Sequence, residues 1–102
     1  MDFPDESNLF GSLETSLTRE RLATLFASFG WKVRKCSWTD YEVCSDIAEL
    51  VIEGENPILI HGPVADLLAN HPRIIDPLSH VGVSYSLECY DENRELVHLA
   101  RG

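Results

Sequence analysis

Lysine and arginine are scarce in this chain: 8 of its 102 residues, against 17 aspartates and glutamates, for a formal net charge of −9. So few cations exclude binding nucleic acid through its phosphates and disfavour anionic membrane surfaces. Long apolar runs are missing too, and none approaches the ~20 residues that a membrane helix needs. The start, Met1-Asp2-Phe3-Pro4-Asp5-Glu6, is acidic and lacks the basic and then apolar order of a secretory signal. Cysteine is limited to Cys36, Cys44 and Cys89, an odd number with no CxxC pair. That argues against a secreted disulfide framework and for reduced thiols in a cytoplasm.

What is present suits one folded domain. A hydrophobic share of 44% can supply a core for a chain of this length. Residues 1–15 carry Pro4, Gly11 and several acids with little periodicity, and read as a flexible acidic leader before a domain over 16–102. Thr18 is a fair N-cap, with Leu17 and Leu22 placed for a hydrophobic staple. Leu22, Leu25, Phe26 and Phe29 recur at helical spacing, and Gly30 suits the position just past the end. A helix is expected from about Arg19 to Phe29.

The next segments read as strands. Trp31 and Val33 alternate and Cys36 and Trp38 take the opposite phase, as a bulge near Arg34-Lys35 would produce. The stretch YEVCSDIAELVIEG fits either a helix from Ser45 or a strand with a phase slip near Ile47. Its valine and isoleucine content favours the strand, and EGEN followed by PILI reads as a hairpin. Pro63 fits the first position of a helix ending near Asn70, and Asp76-Pro77 suits a further short helical turn. VSYSLECY alternates cleanly, DENR is a turn, and ELVHLA returns as a strand. The expectation is an α+β domain: a single mostly antiparallel sheet of about five strands, in the order α-β-β-β-α-β-β, with helices packed on one face.

Candidate sites follow from chemistry. No lysine or arginine occurs between Lys35 and Arg73, and on the strand reading Glu42, Asp46, Glu49 and Glu53 form an acidic stripe on an exposed face. Such a stripe suits a partner protein with a basic surface, with Trp38 and Tyr41 as aromatic anchors. A small-ligand or anion site at the turn His61-Gly62-Pro63 is the alternative, using His61 and the amides of Gly62 and Val64 at a helix start. Metal binding is not expected, because Cys36, Cys44, Cys89, His61, His71, His80 and His98 lie far apart in sequence. Cysteine catalysis is not expected either. Cys36 and Cys89 read as small core residues, and the neighbours Glu42 and Asp46 would raise the pKa of Cys44.

The expected order of elements resembles that of the small acidic chaperones of bacterial type III secretion, which are dimers, though their final helix has no counterpart here. Small acidic immunity proteins that neutralise basic toxins are a second resemblance in kind. Both imply a protein-binding role, and no residue is carried over from either. The sequence thus reads as a cytoplasmic, non-catalytic adaptor without cofactor, docking a basic protein, and nothing in it excludes a homodimer.

Overall fold

Strand β1 (Leu9–Glu14) comes first, followed by helix α1 (Arg19–Ser28) and strands β2 (Lys32–Lys35), β3 (Tyr41–Cys44), β4 (Glu49–Glu53) and β5 (Ile58–Gly62). A single helical turn α2 (Leu67–Asn70), helix α3 (Pro72–His80) and the hairpin β6 (Ser84–Tyr90) and β7 (Leu96–Arg101) complete the chain. This computed structural model describes residues 3–102. The fold is α+β, with one sheet in the order β2-β3-β4-β5-β1-β6-β7 and every neighbouring pair antiparallel.

The sheet therefore has seven strands rather than about five, and the chain opens on a strand rather than a helix. The largest correction is β1. Residues 9–14, expected within a flexible leader, lie between β5 and β6 with Leu9 and Leu13 fully buried. Asn8 fixes the entry to β1: its side-chain amide donates to Val64 O at 2.9 Å and its carbonyl accepts from Val64 N at 2.8 Å. Met1 and Asp2, the first residues of that expected leader, lie outside the described residues. The element order on which the type III chaperone resemblance rested is not the observed one.

Two expected phase irregularities are turns. The switch after Arg34-Lys35 is the β2–β3 connection, so Trp38 lies in a turn and Cys36 is exposed rather than in the core. The slip near Ile47 is the β3–β4 hairpin, with Ser45 N bonded to Ala48 O at 2.9 Å. Pro63 does not start a helix. Val64 forms a bridge with Ala48, α2 begins at Leu67, and it is Pro72 that occupies the first position of α3.

Elsewhere local chemistry has its expected effect. Thr18 Oγ1 accepts from Arg21 N at 3.1 Å and caps α1, and Gly30 beyond its end has φ +91°. Leu22, Ala23 and Phe26 bury one stripe of α1 against β2, β3 and β4, and the Phe26 and Trp31 rings meet edge to face. Ile74 and Leu78 of α3 join the same core. Both helices lie on the face carrying Leu9, Leu13, Val43, Leu50, Ile60 and Leu87, and the other face is left uncovered. No described helix is long and apolar enough to cross a membrane.

Candidate functional site

The uncovered face is built by strand alternation. In β1, Leu9, Gly11 and Leu13 face the helices while Phe10, Ser12 and Glu14 face outward. Register carries that choice across the sheet. It aligns Arg34, Glu42, Val51, His61, Phe10, Glu88 and Leu99 in one row spanning all seven strands. A second row holds Glu53, Leu59, Ser12, Ser86 and Arg101. None of these outward residues is buried.

The five inner strands, β3, β4, β5, β1 and β6, contain no lysine or arginine. Their outward positions include Glu14, Glu42, Glu49, Glu53 and Glu88, and the cations stand on the edge strands as Lys32, Arg34, Lys35 and Arg101. At the centre, small residues make a hollow. Ser12 and Ser86 form a floor of about 390 Å³ of open volume, walled by Phe10, Leu59, His61, Glu53 and Glu88. His61 Nε2 donates to Glu53 Oε1 at 2.9 Å, since an ionised carboxylate only accepts. The Phe10 ring lies nearly parallel to His61, with centroids 6.2 Å apart, and Tyr90 meets Phe10 edge to face at 5.8 Å. Loss of hydration, with the neighbouring Glu88 carboxylate, pushes the Tyr90 hydroxyl above its ordinary pKa.

The structure brings together only part of the expected acidic set. Glu42, Glu49 and Glu53 share the open face. Asp46 does not: it sits in the β3–β4 turn, 2.9 Å from Arg73 of α3, and hydrogen bonding to that guanidinium holds its carboxyl below the usual range. Glu42 is paired with Arg34 at 3.1 Å. Tyr41 faces the helices, packs against the core and lies beneath the Lys35 ammonium at 5.8 Å. Trp38 is 94% exposed in the β2–β3 turn, where it borders a hollow with Tyr41 and Ile58 rather than the row of Phe10, His61 and Glu88.

Cys44 lies on the open face, where its Sγ donates to Glu42 Oε1 at 3.2 Å. Burial pushes its thiol up to about 11, aided by the Glu42 hydrogen bond and the charges of Glu42 and Glu49. Such a thiol is a poor nucleophile at neutral pH.

The expected anion turn has a different geometry. His61 points to the open face, whereas Gly62 points to the helix side, where an added Cβ would stand 2.0 Å from Glu49 O. The Val64 amide, expected as an anion donor, is bonded to Asn8. α2 has four residues and begins three residues beyond Val64. Among the described residues, no group of three or more His, Cys, Asp or Glu gathers as a metal site.

Phe10, Ser12, Leu59, Ser86 and Glu88 were not singled out from sequence. A signal existed in LFGSLE, whose alternation of Leu9, Gly11 and Leu13 with Phe10, Ser12 and Glu14 is that of a half-buried strand. No family model, curated protein or solved structure matches this chain.

Proposed function

We propose that this protein is a non-catalytic binding module that docks the basic surface of a partner protein on the open face of its sheet. The observation that carries the reading is charge segregation. Five inner strands without lysine or arginine present Glu14, Glu42, Glu49, Glu53 and Glu88 around exposed Phe10 and Leu59. Apolar side chains that are drained of water on contact supply affinity, and the surrounding carboxylates supply orientation and rate. The hollow over Ser12 and Ser86 has the chemistry to take a cationic side chain: hydroxyl acceptors below, the Phe10 ring beside it, and Glu53 and Glu88 at its rim. In this reading Asp46 and Tyr41 are outside the contact, Phe10 replaces Tyr41 as the aromatic anchor, and Trp38 is at most peripheral.

The experiment is a paired capture from host lysate at low salt, with wild type and the double variant Glu53→Lys/Glu88→Lys. The reading expects wild type to retain a basic protein that moderate salt releases and that the variant fails to retain. For the purified pair, charge reversal should slow association roughly tenfold and flatten its salt dependence. A partner bound equally by both forms would remove the open face from the interface.

A further inference from the structure

The two edges of the sheet differ in a way the open face does not explain. Edge strands expose unpaired backbone groups, and lysine is a common guard against their pairing with another chain. β2 is guarded in this way by Lys32, Arg34 and Lys35. β7 is not: Leu96, Val97 and Leu99 are exposed, and Arg101 is its single lysine or arginine. The one irregularity of β7 is the register shift opposite Cys89/Tyr90, at its Leu96 end, which leaves residues 98–101 in regular register with β6.

The outward backbone groups can be identified. Tyr85 and Gly102 exchange reciprocal bonds, Tyr85 N to Gly102 O at 3.0 Å and Gly102 N to Tyr85 O at 3.1 Å. In an antiparallel ladder bonded and non-bonded pairs alternate, so His98 and Ala100 turn their N–H and C=O toward β6. Leu99 and Arg101 therefore turn theirs away from the molecule.

From this we infer that β7 pairs with β7 of a second copy of this chain, antiparallel about a two-fold axis at Ala100. Leu99 of each copy then exchanges reciprocal N–H to O=C bonds with Arg101 of the other, which satisfies the outward groups of both strands. Ala100 meets its own counterpart on the helix side, where its small side chain permits close approach. The charges agree with this register. On the open face Glu88 stands opposite Leu99, so Arg101 of the second copy arrives in the same row, one strand beyond Leu99 and within an arginine's reach of Glu88. Arg101 forms no ion pair within its own chain among the described residues. Pairing β2 with itself would instead bring Lys32, Arg34 and Lys35 against their copies. The dimer joins two open faces into one continuous surface, and its assembly needs no docking partner.

Sedimentation equilibrium of the full chain without partner tests the inference. The expected result is a reversible monomer–dimer equilibrium. Arg101→Glu, which sets a carboxylate beside Glu88 of the other copy, should weaken the dimer roughly tenfold or more. Glu88→Arg combined with Arg101→Glu should recover it, and Leu99→Pro should abolish it by removing an outward N–H. Far-ultraviolet circular dichroism checks that each variant is folded. A chain that stays monomeric across the concentration range overturns the inference, as does a dimer indifferent to Arg101→Glu and Leu99→Pro. Because no partner is present, this outcome is independent of the lysate capture.

Discussion

His61 and Glu53 are joined diagonally across the β4–β5 ladder, Nε2 to Oε1 at 2.9 Å, at the centre of the open face. Their side chains are 30% and 38% exposed, so solvent screens the pair. Glu53→Gln should therefore cost no more than about 1 kcal/mol of stability, measured by urea unfolding. A much larger loss would mean that the pair supports the sheet itself rather than shaping its surface.

Cys44 should be slow to alkylate. A thiol pushed up to about 11 from 9.0 has roughly 100-fold less thiolate at pH 8, partly offset by its greater intrinsic nucleophilicity. Iodoacetamide at pH 8 should modify Cys44 about tenfold more slowly than a simple thiol of ordinary pKa, with mass spectrometry reporting each site. The exposed Cys36 should label before Cys44. The sign of the linked stability is also fixed. The folded state holds this proton more tightly than the unfolded state, so its contribution is complete below about pH 9. It falls as pH rises through about 11, a decline that Cys44→Ala should remove from denaturation curves between these limits.

Truncation should be destructive at the N-terminus. β1 is hydrogen-bonded on both sides, to β5 and to β6, and Leu13 is 1% exposed. Removing residues 1–15 should yield an unfolded chain by circular dichroism, and Leu13→Ala should cost about 2–5 kcal/mol. Native stability in the truncated protein would contradict the placement of β1.

Gly62→Ala should destabilise the sheet although Gly62 has ordinary strand backbone. Its added methyl would stand 2.0 Å from Glu49 O, a backbone atom that cannot rotate away. Overpacking of this kind costs about 1–3 kcal/mol or more, read as a lower midpoint in urea. An unchanged midpoint would show that β4 can withdraw from β5 at no cost.

Local sequence was a good guide where local chemistry decides. The cap at Thr18, the stripe of Leu22 and Phe26 and the stop at Gly30 all act within a few residues, and α1 was legible from them. The alternation of VSYSLECY and the return of ELVHLA likewise marked the last hairpin, observed as Ser84–Tyr90 and Leu96–Arg101. Asp46 shows the limit. Its spacing from Glu42 fitted one strand face, but β3 ends at Cys44 and Asp46 falls in the hairpin turn, where it meets Arg73, 27 residues on.

By itself the sequence determined the α+β class, the antiparallel hairpins and the shortage of cations from residue 36 to residue 72, because each is a property of composition or of neighbours in the chain. Tertiary structure alone decided that β1 enters the middle of the sheet, that Phe10 lies beside His61 and Glu88, and that β7 is left as an edge. The reason is physical. Strand order and register are set by burying Leu9, Leu13, Ile60 and Leu87 under the helices, a cooperative choice among residues far apart in the chain. The face opposite that core is fixed by the same choice.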